Sequence, residues 1–417
     1  MALSAPPAHG TSHGASHGAS HGATHRPLVA PARPDPYLDV DRYDPEGDLL
    51  VLNLGPQHPS THGVLRVKLY LDGEVCIKAV PYLGYLHRGV EKLCEKLSYV
   101  QITPVVDKND YVSPFTNEWA INLTFEKLMG TEAPPRAQHL RTLGAEMQRV
   151  ASHLLWLGTW GLDMGGAIGG GGSIFMYTFR ERETILDCYE TWTGGRFHYN
   201  TLTVGGCRHD IPAGWTDEVR RTFLQIQQRV DEYDNFLREN TIFKARTVGV
   251  GVLDPRLAME LGISGPNLRA SGVSWDLRRD APYGVYDQLD LKVATATAGD
   301  CYARFEVRMA ELRESIRLVL LLLDGVPEGP ICSLKAVKSP TAVKPKPGMA
   351  YTAIESSRGE IGTWVIADGT DKPYRCKIRP PSLHAVSAIP YMAPGNNVSD
   401  IIVTLGSLDP ILGEVDR

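Results

Sequence analysis

Residues 134–164 read PPRAQHLRTLGAEMQRVASHLLWLGTWGLDM. Within them Leu140, Leu143, Met147, Val150, Leu154 and Leu157 step by three and four. That spacing predicts one apolar stripe on a long helix opened by Pro134-Pro135, with Arg141, Glu146 and Arg149 off the stripe. Two further stretches carry the same signature. One holds Val219, Phe223, Ile226, Val230, Tyr233 and Leu237; the other holds Phe305, Met309, Leu312, Ile316, Val319 and Leu323. Three stripes at near-heptad spacing leave water by covering one another, so a helical bundle is predicted.

Outward from the bundle the pattern turns to strands. Leu49–Leu54 and Val64–Leu71 read as short strands, and Asp72-Gly73 is a hairpin signal before a third at Val75–Val80. Near the C-terminus, strands at Ile361–Ala367 and Tyr374–Ile378 flank Asp368-Gly369. The fold class expected is therefore α+β, mainly α: a central bundle of long helices with peripheral antiparallel β elements. Four regions follow: a tail over 1–46, a β meander over 47–82, the helical core over 83–345, and a C-terminal hairpin and tail over 346–417. In the tail, His9, His13, His17, His21 and His25 recur every fourth residue. The interleaved Gly10, Gly14, Gly18 and Gly22 each oppose a helix by roughly 1 kcal/mol. A disordered, solvated tail is expected, with adventitious metal binding as the alternative.

The whole chain has 417 residues, 43% hydrophobic and 22% charged, with a net charge of -5. Such a balance offers no general attraction to nucleic acid or anionic lipid. The longest aliphatic run, Leu318 to Leu323, falls far short of the ~20 apolar residues of a membrane crossing. No basic start followed by an apolar core is present, so neither a membrane span nor a secretory signal is expected. Seven cysteines are scattered without a C-x-x-C pair, which reads as reduced thiols serving as core filler. A phosphate-binding loop, a dinucleotide fingerprint and a serine-nucleophile elbow are all missing, which disfavours nucleotide binding and serine hydrolysis.

Four polar stretches remain as candidates for chemistry. The loop Asn53–Gly63 holds His58 and His62 between prolines and glycines. Its imidazoles suit either proton delivery at a cavity mouth or hydrogen bonding to the turn itself. Gly84–Leu93 sets His87 and Arg88 ahead of Glu91, a helix start with ion pairs. Asp107–Val112 carries Tyr111, whose hydroxyl can donate to a carbonyl oxygen or anchor the loop. Asp163 is the only formal charge of Leu154–Met164 and precedes Gly165–Gly172, where six of eight residues are glycine. It is either solvated at a helix end or held in a pocket with a partner.

Together these blocks are familiar. GPQHPSTHG at 55–63, GYLHRG at 84–89, DY at 110–111, RFHYN at 196–200, ASGVSWDLR at 270–278, ESSRGEIG at 355–362 and SLDPILGEVDR at 407–417 resemble the D subunit of the proton-pumping NADH:quinone oxidoreductase, respiratory complex I. The resemblance runs from about residue 48 to the end. That family is similar to the large subunit of nickel–iron hydrogenases, and Arg88-Gly89-Val90-Glu91 matches the hydrogenase R-G-x-E. The hydrogenase metal motifs fall on Lys108–Ser113 and Asp409–Arg417. Asp110, Ser113, Ile411 and Glu414 then stand where four cysteines would be. A nickel–iron site needs those soft donors, so the hydrogenase-like catalytic reading is the runner-up and a poor one.

The resemblance implies that the vacated metal pocket receives a quinone headgroup, held by Tyr111 and His62, with Asp163 as the partner of that histidine. It places Arg88 and His198 beside an iron–sulfur cluster of a neighbouring subunit, with no metal or cluster on this chain. The C-terminal tail would return to the quinone pocket. The iron–sulfur B subunit, the C and I subunits and the membrane-arm H subunit are the implied partners, on the cytoplasmic side of a bacterial inner membrane. NADH chemistry would lie in other polypeptides. One departure stands out: where the family runs G-A-x-S/T-P-F after the aspartate, this chain has Gly165–Phe175 with extra glycines, which add backbone freedom beside the implied cavity.

Overall fold

The computed structural model describes residues 47–56, 63–164, 173–334 and 343–417. The histidine repeat, His58, His62 and the glycine stretch 165–172 lie outside the described residues. The folded chain opens with an antiparallel sheet of β1 (Leu50–Leu54), β2 (Arg66–Asp72) and β3 (Val75–Tyr82) in that order. The β2–β3 hairpin forms at the Asp72-Gly73 signal, with Asp72 paired to Val75 and Gly73 and Glu74 making the turn. One face buries Leu54, Val67, Leu69, Leu71 and Ala79 in a cluster that includes Met392, Leu405 and Leu412. The sheet is thereby fixed to the chain's other end, and Cys76 reinforces this by exchanging backbone bonds with Gly395 and Asn396.

Two short helices, α1 (Val90–Cys94) and α2 (Tyr99–Val106), lead into α3 (Pro114–Met129) and α4 (Pro135–Asp163). Next come α5 (Ser173–Thr193), α6 (Trp215–Glu239) and α7 (Cys301–Asp324). Helix α4 packs against α5 and α7, and α6 closes on both of those, giving the bundle that the three stripes predict. Neither α3 nor α5 is visible as a stripe in the sequence. Their buried positions include Asn117, Glu118, Asn122, Thr124 and Glu126 on α3, and Thr178, Glu181 and Arg182 on α5, so hydrophobic periodicity is erased.

Arg141, Glu146 and Arg149 lie off the α4 stripe but not in solvent, because other elements cover that face too. Arg141 makes a bidentate pair with Glu126 at 2.6 and 3.0 Å and bonds the carbonyls of Thr203 and Gly206. Arg149 donates to the carbonyls of Ser356 and Glu355 at 2.6 and 2.7 Å. Buried charge persists here because each group is paired or hydrogen-bonded.

A second antiparallel sheet, β4 (Gly348–Ser356), β5 (Gly359–Ala367) and β6 (Pro373–Arg379), packs on α3 and α1. Its last two strands flank Asp368-Gly369 as expected, while β4 is an addition. The β4–β5 hairpin turns through only Ser357 and Arg358, with Ser356 paired to Gly359. Its tip is driven into the protein and not out to solvent: a Cβ on Gly265 would meet the Arg358 carbonyl oxygen at 2.5 Å. The chain finishes with α8 (Val398–Ser407) and α9 (Leu412–Asp416). Trp156 and Trp160 of α4 stack at 4.9 Å and donate to the carbonyls of Gly406 and Val403, both at 2.9 Å, which lays α8 along the end of α4.

Candidate functional site

Seven residues, Asp107 to Ser113, join α2 to α3 and carry most of the site. Asp110 is buried and fully used. Its Oδ1 accepts the N–H groups of Val112 and Ser113 at 3.1 Å, and its Oδ2 accepts Arg358 Nη1 at 2.7 Å. Arg358 also donates to Asp409 Oδ1 at 3.2 Å and to the Asp409 carbonyl at 3.0 Å. Burial raises the Asp110 carboxyl, Arg358 opposes it, and Asp409 raises it further. Ser113 Oγ lies 2.7 Å from Ser357 Oγ, which donates to Ser152 Oγ at 3.0 Å.

The C-terminal segment meets this turn. Asp409 adopts a positive φ of 55°, and Gly413 lies so close that a Cβ there would stand 2.7 Å from the Asn109 carbonyl oxygen and 3.2 Å from the Tyr111 ring. Glu414 is buried, accepts Ser382 Oγ at 2.5 Å, and is pushed up to about 8 by burial and then by Asp110. Asp416 accepts the N–H groups of Gly84 and Leu86 at 2.8 and 2.7 Å, and its carbonyl lies 2.6 Å from His87 Nδ1. Gly63 packs on Leu412. Three of the segments singled out in the sequence, ending at Gly63, 84–88 and 110–113, therefore converge on 409–417.

Tyr111 is half-buried at this junction. Burial raises its phenol above the ordinary value, Arg358 opposes that, and Asp110 and Asp409 add to it. The hydroxyl is thus kept protonated, able to donate. His62 lies outside the described residues; its neighbour Gly63 and Tyr111 abut the consecutive residues Leu412 and Gly413. Asp163 ends α4 and is partly exposed. On the same helix Gln148 Nε2 bonds the Val112 carbonyl at 2.9 Å. Fifteen residues further on, Asp163 stands about 22 Å along the axis from that contact.

Arg88 and His198 are brought together on a neighbouring face. His198 Nδ1 faces Asp107 Oδ2 at 3.7 Å, and Arg88 Nη2 donates to Asn109 Oδ1 at 3.0 Å. Burial lowers both groups while Asp107 counteracts it. Glu91 does not form the expected ion pair with His87 or Arg88. It takes Lys377 and Arg417, and the Ile378 N–H, tying α1 to β6 and the C-terminus. The positions aligned with the four hydrogenase cysteines offer two carboxylates, a hydroxyl and an aliphatic chain. Asp110 and Glu414 already hold protein donors, so the set does not fit a nickel–iron centre.

Sequence reasoning missed Arg358, Asp107, Asn109 and Glu118. Arg358 has a local signal, a large cation confined between Ser357 and Gly359 in a two-residue turn. Asp107 and Asn109 are adjacent to the flagged tyrosine, and Glu118 has no signal beyond its place on an unrecognised helix.

With this geometry in place, comparison with known proteins is direct. The family described as respiratory-chain NADH dehydrogenase, 49 Kd subunit, matches residues 169–417. The D subunit (form 2) of the NADH-quinone oxidoreductase of Rhizobium etli is 44% identical over 400 residues, covering 89% of this chain and 98% of the relative. The NADH-quinone oxidoreductase D subunit of Geobacillus kaustophilus is 43% identical over 368 residues, 88% of this chain and 98% of the relative. The form 2 D subunit of Koribacter versatilis is 42% identical over 410 residues, 93% of this chain and all of the relative.

Proposed function

Because this chain belongs to the 49 kDa subunit family of respiratory-chain NADH dehydrogenase, as a subunit of an NADH-quinone oxidoreductase, we propose that it forms the quinone headgroup site of that enzyme. Tyr111, His62 and Asp163 are the residues assigned to it. The observation that carries this reading is the placement of Tyr111: a protonated phenol at the seam between the 107–113 turn and α9, backed by the Asp110–Arg358–Asp409 cluster. Gly63, next to His62 in the chain, lies on the same seam. Asp163, further along α4, would act through His62 and not on the phenol directly.

An iron–sulfur cluster of the B subunit would supply electrons one at a time, with Arg88 and His198 facing it. As the quinone gains two electrons, negative charge builds on its carbonyl oxygens. Tyr111 and His62 donate hydrogen bonds to that charge and pass two protons, giving the quinol. Loss of the proton from His62 leaves Asp163 without its cationic partner. The altered charge at the end of α4 would bias the charged groups of the membrane-arm H subunit, coupling reduction to proton pumping. The C and I subunits complete the surroundings. Among the described residues no helix is long and apolar enough to cross a membrane, which suits a peripheral protein held at the cytoplasmic face of the inner membrane by its partners.

The test is Tyr111→Phe and His62→Ala in the assembled enzyme. Quinone reduction is expected to fall by about 10²-fold or more for a lost donor, while electron entry to an artificial acceptor upstream is kept. Parental quinone-reductase rates in both variants would contradict the assignment.

A further inference from the structure

Arg182 of α5 stands apart from the other buried arginines. Among the described residues the seven others each donate hydrogen bonds to at least two acceptors. Arg182 is only 5% exposed, yet no acceptor among the described residues takes a hydrogen bond from it, and its Nε is covered without a partner. The nearest acid is Glu183, with Oε1 3.8 Å from Nη1, beyond hydrogen-bond reach. Burial lowers the proton affinity of the guanidinium, and Tyr199 and Glu183 offset that only in part. Charged donors covered in this way are costly until something accepts from them.

The guanidinium lies between two rings, 5.9 Å from Phe179 and 6.0 Å from Phe197. Phe197 is 41% exposed, and its ring meets that of His198 edge-on at 5.0 Å. The segment is fixed from behind. Glu118 of α3 accepts the Asn200 N–H at 2.7 Å and the Leu202 N–H at 2.9 Å, on either side of Thr201, and Asn200 is held at a φ of 45°. A large apolar ring is thus presented to solvent on a rigid root, over an arginine whose donors are unspent. Aromatic and arginine side chains so paired are what anchor protein interfaces.

Two observations choose the occupant. Arg196, in the same segment, is already paired with Glu183, Asp187 and Glu190, so a further carboxylate arriving here would meet like charge. Neutral carbonyl oxygens would not. This chain already holds a remote turn in that manner, through the hydrogen bonds of Arg149 to the carbonyls of Glu355 and Ser356. We propose that Arg182 and Phe197 form a socket for a loop of the neighbouring iron–sulfur subunit, which turns main-chain carbonyl oxygens to the guanidinium while Phe197 packs against the loop and keeps water out. The socket rests on the reading that His198 faces that subunit, because Phe197 precedes His198 and touches its ring.

The experiment follows release of the iron–sulfur subunit from the immobilised, assembled enzyme under a mild chaotrope. Arg182→Met keeps the apolar stem between the two rings and removes the donors. Losing charged hydrogen bonds is expected to speed release by about tenfold or more. A parental or slower release overturns the proposal, since a guanidinium left without acceptors would then only have cost stability. Should Arg182→Met fail to assemble, Arg182→Lys decides: it keeps the charge but not the planar fork, so faster release supports the socket and a parental rate overturns it. A carbodiimide cross-link from the amine of Arg182→Lys to an Asp or Glu of that subunit would put a carboxylate where carbonyls are expected, and would also overturn it. A photoreactive benzophenone amino acid in place of Phe197 separates the two levels. Capture of the iron–sulfur subunit there, reduced by more than half in Arg182→Met, supports the socket. Capture that Arg182→Met leaves undiminished sinks this inference alone; no capture of that subunit sinks the placement of His198 as well.

Discussion

Arg358 Nη1 stands 2.7 Å from Asp110 Oδ2 although 248 residues of chain separate them, and both side chains are buried. The link exists because a two-residue hairpin turn points inward and delivers a guanidinium between Asp110 and Asp409. Removing it leaves two carboxyls in a low-dielectric site without their cation. Arg358→Leu is therefore expected to destabilise the chain by about 3–5 kcal/mol, read from urea unfolding at neutral pH. Arg358→Lys restores one of the two bonds and should recover part of that loss. A cost below about 1 kcal/mol for the leucine variant would mean the cluster is not held by this pairing.

Tyr111 owes its place to a glycine. A Cβ on Gly413 would lie 2.7 Å from a backbone oxygen, which cannot yield, and 3.2 Å from the Tyr111 ring, which can. Gly413→Ala should therefore push α9 away from the 107–113 turn at some cost in stability, and displace the phenol with it. Displacing a reacting group by about 1 Å costs on the order of 10²-fold in rate, so a drop of at least tenfold in quinone reduction by the assembled enzyme is expected. Gly130→Ala is the control. Gly130, unlike Gly413, has a positive φ, so an alanine there is strained, but its Cβ would meet nothing and activity should hold. Equal activity in both variants would detach Tyr111 from the chemistry.

The sequence made the bundle legible wherever burial is apolar. The stripes of α4, α6 and α7 are continuous rows of Leu, Val, Ile and Phe. Helices α3 and α5 escaped because their covered faces hold Glu118, Glu126, Glu181 and Arg182, residues that periodicity assigns to solvent. The site divides the same way. Tyr111, Arg88 and His198 sit in blocks whose resemblance marks them, and the structure sets the last two on one face. Arg358 and Asp409 become partners only through contacts between distant segments, and no local spacing encodes those.

Glu414 predicts an alkaline weakness. Its folded value of about 8 lies above the ordinary glutamate value, so the stability tied to its neutral form is complete below about 4.5 and is lost as pH rises through 8. Glu414→Gln removes that titration while keeping the acceptor for Ser382. Between pH 6 and 9, roughly, the parent should lose stability relative to this variant on the order of a few kcal/mol, seen as diverging urea midpoints. Parallel curves across that range would show that Glu414 is ionised in the folded chain already.

Glu311 predicts the opposite limb. It is buried on α7, bonded to Arg269 at 2.8 Å and to His153 at 3.0 Å. Burial works against its charge, yet Arg269 and then His153 hold it well below the usual carboxylate range. A lowered carboxyl contributes stability that is present above its unfolded value and lost as pH falls through the folded one. Glu311→Gln should thus cost about 3–5 kcal/mol at neutral pH, since Arg269 keeps only Glu355 and Asp276. The difference from the parent should shrink as pH drops below about 4.5, where the carboxylate of the unfolded parent protonates while the folded one stays charged. If the two curves stay separated by a constant amount into acid, the loss comes from packing around α7 and the ion pair contributes nothing to it.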